Sequence, residues 1–205
     1  MKNVEAMTFE TPDRGEEAAR AGLYGLLATL FYGPPGQDLL DALARDGREG
    51  GDSAFEDAWA ALAQACAKAD PEALRDEYEA LFVGVGKPEV MLYGSWYRSG
   101  FLMEKPLAEL RTDLARLGLE RPETIGETED HIALLCEVMR TLITSDDALH
   151  ASLETQRGFH DEHLAPWAGR FCDTLENHPR ADFYAVVARL AREFFSVERL
   201  AFDMA

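Results

Sequence analysis

Apolar residues recur at spacings of three and four along almost the whole chain, and this periodicity constrains the fold more than any other feature. In the first apolar stretch, the pattern is carried by Leu23, Leu26, Leu27, Leu30 and Phe31, as expected for an amphipathic helix. No segment shows sustained alternation of apolar and polar residues, which is the pattern of a half-buried strand. The sequence therefore predicts an all-α protein, a compact bundle of about nine to twelve helices.

Proline, glycine and capping residues give the approximate helix boundaries. Asp70-Pro71-Glu72 is the strongest start signal, because it combines an N-cap acid, a proline at the first helical position and negative charge in the first turn. Helices are predicted at 13–32, around 39–43, from 52 or 53, and at 70–83, 106–117, 129–144, 149–157, 159–175 and 182–202.

The one long stretch without a helical pattern spans residues 84–101. It combines several glycines and a proline with four aromatic residues, which include Tyr93, Trp96 and Tyr97. Structureless loops of this length are uncommon unless they have a function, and aromatic side chains offer contact area at a low entropic cost. We therefore predict an aromatic loop, with one helical turn after Ser95, that suits an extended or helical peptide.

A linker with Pro122 and Gly126 separates two helical parts of the sequence. We expect residues 1–119 to form an N-terminal part that includes the loop 84–101. Residues 120–128 form a hinge and residues 129–205 a C-terminal part, all within one compact unit. A hinge would let two copies exchange helices, so we expect a monomer or a domain-swapped dimer.

Charge and cysteine content limit the classes of partner and compartment. The chain carries 38 acidic and 20 basic residues, a net charge of −18. This charge disfavours nucleic acid and anionic lipid and favours a cationic partner, although solubility alone would also account for it. No uncharged apolar run reaches the roughly 18 residues of a membrane span, and the N-terminus lacks a secretion-signal pattern. Cys66, Cys136 and Cys172 lie far apart, which argues against disulfides or a thiolate metal site and suits a reducing cytoplasm.

Three histidines near acids are the candidate catalytic or metal-ligating residues. His160 and His163 supply only two neutral ligands, so a capped, solvated helix start is the favoured interpretation. Asp130 and His131 are adjacent and point about 100° apart on a helix, so they form no dyad with each other, and a structural or partner-contacting role is favoured. A metal-dependent hydrolase that uses these three histidines is one alternative. A helical transcriptional regulator is another, but residues 34–70 hold only three basic residues among many acids.

Three short motifs flank or lie within the aromatic loop: Tyr78-Glu-Ala-Leu-Phe82, Gly94-Ser95-Trp96-Tyr97 and Glu127-Thr-Glu-Asp-His131. In order and spacing they resemble motifs of the TorD/DmsD/NarJ superfamily, cytoplasmic chaperones for molybdenum-containing redox enzymes. The third motif has Thr128 where the superfamily has proline, which would have fixed that turn. The resemblance covers roughly residues 18–199.

The resemblance implies an all-helical fold and a non-catalytic role. Such proteins bind the twin-arginine leader, or its unexported remnant, of a molybdoenzyme catalytic subunit. They hold the apoprotein until the molybdopterin cofactor is inserted. No metal or cofactor is predicted for the chain itself. The leader-binding candidates that the resemblance transfers are Tyr78, Leu81, Phe82, Trp96, Tyr97, Asp130 and His131.

The physical properties of such a leader agree with this assignment. A leader has a basic stretch followed by an apolar one, so an acidic surface would steer the arginines and the aromatic residues would accept the apolar part. We expect Asp130 to accept a charge-assisted hydrogen bond from a guanidinium group. We also expect His131, with an ordinary pKa near about 6.5, to make the affinity pH-dependent.

Overall fold

The computed structural model describes residues 14–46 and 51–204. Within these ranges the chain forms ten α-helices, and two π-helical turns, π1 and π2, continue α4 and α8. The elements are α1 (Arg14–Tyr32), α2 (Gln37–Arg45), α3 (Ala54–Cys66), α4 (Pro71–Tyr78), π1 (Glu79–Val83), α5 (Gly94–Ser99), α6 (Lys105–Arg116), α7 (Ile132–Thr144), α8 (Leu153–Phe159), π2 (His160–Leu164), α9 (Ala165–Glu176) and α10 (Phe183–Met204). The prediction of an all-α bundle is confirmed.

Two long helices, α1 and α10, organise the core. α1 packs along α7, while α10 packs against α3 and α9. Tyr24 and Phe31 of α1 are fully buried, and their rings meet Phe194 of α10 and Phe171 of α9 edge to face. Because α1 and α7 lie on opposite sides of the predicted hinge in sequence, one core joins both parts. The division at 120–128 itself stays a prediction.

The strongest predicted helix start is confirmed by its capping contacts. The Asp70 carboxylate accepts a hydrogen bond from the Glu72 N–H at 3.4 Å, and Pro71 occupies the first helical position. The uncertain start at residue 52 or 53 is resolved by a capping box. In that box the Ser53 hydroxyl accepts the Glu56 N–H, and the Glu56 carboxylate accepts the Ser53 N–H.

The predicted starts of α5, α7 and α8 are wrong by two to four residues, and the helix start predicted at 159 is absent because α8, π2 and α9 follow one another without a break. The helix expected from residue 129 begins at Ile132, because residues 128–131 form a turn that pairs with the segment around Leu92. In that pairing the Ile132 N–H donates to the Leu92 carbonyl at 2.8 Å. The helix expected from 149 begins at Leu153, because the Asp147 carboxylate first caps a separate turn. The helical turn in the aromatic loop begins at Gly94, before Ser95.

The cysteines and the hydrophobicity of the helices can also be compared with the sequence, and two predicted features fall outside the described ranges. All three cysteines are buried free thiols, as their separation in sequence predicts. Of the helices in the described ranges, none combines the length and hydrophobicity that a membrane crossing requires. The predicted start of the first helix at Asp13 and most of residues 47–51, which the sequence predicts to link the second and third helices, lie outside the described residues.

Candidate peptide-binding site

The first motif lies where α4 passes into the π-helical turn π1. Leu81 and Phe82 both point inward and are 0% and 7% exposed. The Phe82 ring meets Tyr184 of α10 edge to face, with 5.1 Å between centroids. Gly84 ends the turn with a φ of 63°, a conformation that favours glycine. Leu81 and Phe82 therefore belong to the core, and of the three predicted leader-binding residues in this motif only Tyr78 is half-buried.

Tyr78 connects the first motif to the end of α1. Its hydroxyl donates to the carbonyls of Phe31 and Tyr32, at 3.1 and 3.0 Å. These are carbonyls of the last helical turn, which have no partner within the helix. Burial raises the pKa of Tyr78 to about 12, so the hydroxyl stays a donor at physiological pH. The contact fixes the backbone at the end of α1, from which the exposed Tyr32 side chain projects.

His131 caps the N-terminus of α7. Its Nδ1 accepts the Ala133 N–H at 3.2 Å, which places the ring proton on Nε2. The ring lies between two tyrosines, with centroid distances of 6.2 Å to Tyr32 and 5.2 Å to Tyr93. Burial lowers the pKa of His131 to about 4. The expectation of a titration near neutral pH is therefore wrong, because the imidazole stays neutral there.

Asp130 faces away from His131 and holds the aromatic loop against the hinge. One carboxylate oxygen accepts the Ser95 N–H at 2.8 Å, and the other accepts the Thr128 hydroxyl at 2.6 Å. The side chain is buried, at 3% exposure. The two residues indeed form no dyad with each other. The hydroxyl of Thr128 also explains how the turn is held without the proline of the superfamily motif.

Tyr93 and Glu127 complete the surface around His131. The Tyr93 hydroxyl donates to the Glu127 carboxylate, and burial together with this carboxylate raises the pKa of Tyr93 above its ordinary value. Tyr32 is 45% exposed. We call Tyr32, Tyr78, Tyr93, Glu127 and His131 the tyrosine face. It presents aromatic edges beside one carboxylate.

Trp96 and Tyr97 lie on α5, outside the tyrosine face. The Tyr97 ring stacks on Trp167 with 5.4 Å between centroids. The Trp96 ring carries the Lys87 ammonium group 4.9 Å above its centre. Both residues line a cavity of about 360 Å³ that shares no lining residue with the tyrosine face. The structure thus links two of the seven predicted residues, Tyr78 and His131, through Tyr32, with Tyr78 half-buried and His131 buried beneath the face at 2% exposure.

The other two candidate histidines are buried. The interpretation of His160 and His163 as a solvated helix start is wrong, because they lie in π2 at 1% and 3% exposure. His163 Nε2 lies 3.0 Å from an Asp113 carboxylate oxygen, and the His160 ring packs on Phe202. Neither contacts His131. Within residues 14–46 and 51–204, no three side chains of His, Cys, Asp or Glu are grouped closely enough to hold a metal ion.

Comparison with known sequences assigns the chain to a family. The profile of the nitrate reductase delta subunit family matches residues 48–173. The chain belongs to this family. The matched residues include all three motifs, which confirms the resemblance to the TorD/DmsD/NarJ superfamily.

Individual relatives agree with the family assignment. The chain is 29% identical to the chaperone protein TorD of Aliivibrio fischeri over 57% of its own length and 58% of that protein. It is 26% identical to the TorD of Vibrio cholerae over 60% of its own length and 59% of that protein. The chain thus spans somewhat less than three fifths of these relatives. A solved structure of a proposed redox enzyme maturation protein from Archaeoglobus fulgidus shares the fold, with a TM-score of 0.57 and 22% identity over 94% of this chain and 99% of the other.

One surface of this family member lies apart from the motifs. An open cavity of about 1090 Å³ lies between α1, α3 and α10, and we call it the α1–α10 groove. Its apolar lining consists mainly of Leu23, Leu26, Phe55, Trp59, Val197 and Leu200. The sequence of α1 indicates such a groove, because this helix has more apolar residues than one core-facing stripe requires. The additional apolar residues are therefore expected at a second surface.

Three residues of the tyrosine face, Tyr32, Tyr93 and Glu127, were not among the predicted leader-binding residues, although Glu127 belongs to the third motif. Tyr32 ends α1 and Tyr93 precedes α5, so each looks like part of a local apolar pattern. The signal for Tyr93 was its position in the aromatic loop. No local signal identifies Tyr32, because its contact with His131 joins positions about 100 residues apart.

Proposed function

We propose that the chain is a cytoplasmic chaperone that binds the leader of a molybdoenzyme catalytic subunit before the cofactor is inserted. The observation that carries this proposal is that the first and third motifs meet at the tyrosine face, with Tyr32 between them. The Tyr78 hydroxyl of the first motif donates to the backbone carbonyl of Tyr32, and the Tyr32 ring meets His131 of the third motif. The second motif is tied to the same turn through Ser95 and Asp130.

The chemistry of the tyrosine face suits the basic part of a leader. Tyrosine edges and faces accept guanidinium groups by stacking and cation–π contact. Glu127 adds a carboxylate at the same place, and the net charge of −18 favours the approach of a cationic peptide. Tyr78 lies in this face, and the buried His131 supports the rings of Tyr32 and Tyr93 from beneath. Leu81 and Phe82 support it from the core, and Asp130 positions the α5 segment that carries Trp96 and Tyr97.

Calorimetry with the leader of a molybdoenzyme subunit encoded beside this gene tests the proposal. We expect Tyr32→Ala to weaken binding about tenfold and Tyr32→Phe to retain it, because the ring supplies the contact. Glu127→Gln should weaken binding at low salt more than at high salt. A leader in which both arginines are replaced by glutamine should bind the wild type and Tyr32→Ala equally weakly, because the Tyr32 ring acts through the arginines. If the natural leader does not bind the wild-type chain, the proposed function is wrong.

A further inference from the structure

The α1–α10 groove is an apolar surface that the tyrosine face does not use. On α10, Val197 and Leu200 are 50% and 57% exposed and lie one helical turn apart. They face Leu23 of α1 and the aromatic residues Phe55 and Trp59 of α3 across the same cavity. Large apolar surfaces of this kind on a soluble protein usually mark an interaction site. Apolar grooves between helices also commonly bind amphipathic helices.

The rim of the groove carries three carboxylates, one of which, that of Glu193, pairs with Arg192 at 3.5 Å. The residues of the described chain that line it include Asp46, Glu56 and Glu193, and no lysine or arginine is among them. Arg20 of α1 is held elsewhere, because its guanidinium group forms two hydrogen bonds with the buried carboxylate of Glu198. An occupant that brings further negative charge to this rim would be repelled.

Charge selects among three possible occupants. The first thirteen residues of the chain are close enough in sequence, but they carry one lysine against three acids. A second copy of the chain would bring its own net charge of −18. A partner segment that is apolar and has basic flanks satisfies both the lining and the rim.

We propose that the α1–α10 groove binds the apolar segment of the client leader as a helix, with basic flanking residues at the acidic rim. This inference rests on the proposed function and assigns the apolar part of the same leader to a second surface. All of α1 and all of α10 lie outside the region that the family profile matches, whereas Phe55 and Trp59 of α3 lie inside it but in none of the three motifs. The groove is therefore a feature of this chain that the family motifs do not describe.

Two substitutions on the exposed side of α10 test the groove without disturbing the core. The double variant Val197→Gln/Leu200→Gln removes two apolar contacts and leaves the net charge unchanged. Met204→Gln is the matched control, because Met204 is 83% exposed on the same helix and does not line the groove. Circular dichroism spectra and urea midpoints of all three proteins establish that the variants remain folded.

The first probe is a synthetic peptide in which two arginines precede about ten apolar residues, which span about 15 Å as a helix. We expect the groove double variant to bind it at least about tenfold more weakly than wild type, and Met204→Gln to bind within about twofold of wild type. A peptide with two glutamates instead of the arginines should bind wild type more weakly, by a margin that shrinks as salt is added. Equal affinities of wild type and double variant for the arginine peptide would overturn the inference.

The natural leader separates failure of the groove from failure of the proposed function. If the leader binds wild type and the groove double variant equally, the groove inference fails and the chaperone function stands. If the leader does not bind wild type, the chaperone function fails, and the synthetic peptide alone reports on the groove. If a chain that lacks residues 1–13 binds the peptide more than about tenfold more tightly than wild type does, residues 1–13 normally occupy the groove and the inference is wrong. If the wild-type chain self-associates and the double variant does not, the groove binds a second copy of the chain and the inference is wrong.

Discussion

Replacement of Asp130 tests whether this buried carboxylate holds the hinge to the aromatic loop. It accepts the Ser95 N–H at 2.8 Å and the Thr128 hydroxyl at 2.6 Å, and Ser95 is fully buried. Asp130→Ala leaves a buried N–H without an acceptor and removes two hydrogen bonds to a charged group. A buried unsatisfied donor costs about 1–3 kcal/mol and bonds to charged groups contribute about 1.5–3 kcal/mol. Because these contributions overlap, we expect the free energy of unfolding to fall by about 3 kcal/mol.

Two further variants divide this effect into its parts. Asp130→Asn keeps an acceptor for the Ser95 N–H and offers a donor to the Thr128 oxygen, so it loses charge assistance alone and costs about 1 kcal/mol. Thr128→Val removes one of the two bonds and also costs about 1 kcal/mol. Combined with Asp130→Ala, however, Thr128→Val should add almost nothing, since the partner of the hydroxyl is already gone.

Urea denaturation at pH 7, followed by circular dichroism, measures the wild type, the three single variants and the combined variant. For a chain of this size, about 3 kcal/mol corresponds to a fall in melting temperature of about 6–12 °C. Equal costs for Asp130→Ala and Asp130→Asn, or additive costs for Asp130→Ala and Thr128→Val, would refute the assigned hydrogen bonds. Because Asp130 positions the loop and is itself buried, leader affinity of Asp130→Asn should stay within about threefold of wild type. A larger loss would support direct contact with a leader arginine.

Three other sites give predictions with matched controls. Gly84→Ala should lower stability by about 2–4 kcal/mol in urea, because φ is 63° and a Cβ would lie 2.5 Å from a carbonyl oxygen; Gly86→Ala, with open space around it, should cost only about 1 kcal/mol. Glu77→Gln should lower the free energy of unfolding by about 1–2 kcal/mol, because the Glu77 carboxylate accepts three N–H groups at the start of α10. The control Glu72→Gln, at an exposed position, should change it by less than about 0.5 kcal/mol. Burial lowers the pKa of His131 to about 4. The unfolded chain therefore takes up a proton below pH about 6.5, and the folded chain does not. Stability is full above that pH and should fall by about 2–3 kcal/mol at pH of about 4.5; His131→Asn, which preserves the cap, should show a shallower decline.

Local signals account for the part of the fold that the sequence predicts. Asp70 and Pro71 start α4 through contacts within four residues, and Ser53 caps α3 in the same way. The predicted starts of α7 and α8 were wrong because contacts that leave no trace in the apolar pattern determine where these helices begin. Residues before Ile132 pair with a segment about 40 residues earlier, and a carboxylate-capped turn precedes Leu153. Hydrophobic periodicity carries no information about such contacts.

The burial of His160 and His163 shows the same limit within the candidate sites. Two histidines separated by acids resemble a solvated helix start when their neighbours in sequence are all that is known. In the structure, π2 turns them inward, and Asp113 of α6, 50 residues earlier, supplies the partner of His163. Tyr32 is the counterpart in the tyrosine face, since its role depends on His131 from a distant segment.

The geometry of α1 determines how one leader can use both candidate surfaces. Tyr32 lies nine residues after Leu23, a rise of about 14 Å and a rotation of about 180°. The tyrosine face and the α1–α10 groove therefore lie on opposite sides of α1, and a straight helical leader cannot contact both. A path of about 20 Å around the end of α1 requires about six extended residues.

A series of synthetic leaders with different spacers tests this geometry. When six or more residues separate the arginines from the apolar segment, Tyr32→Ala and Val197→Gln/Leu200→Gln should weaken binding by independent factors that multiply in the combined variant. When about two residues separate them, the leader reaches one surface at a time, so the second substitution should matter much less than the first. Calorimetry of both leaders against the single and combined variants measures these factors. If the factors multiply equally for both spacers, the two surfaces do not share one leader in the way that α1 requires.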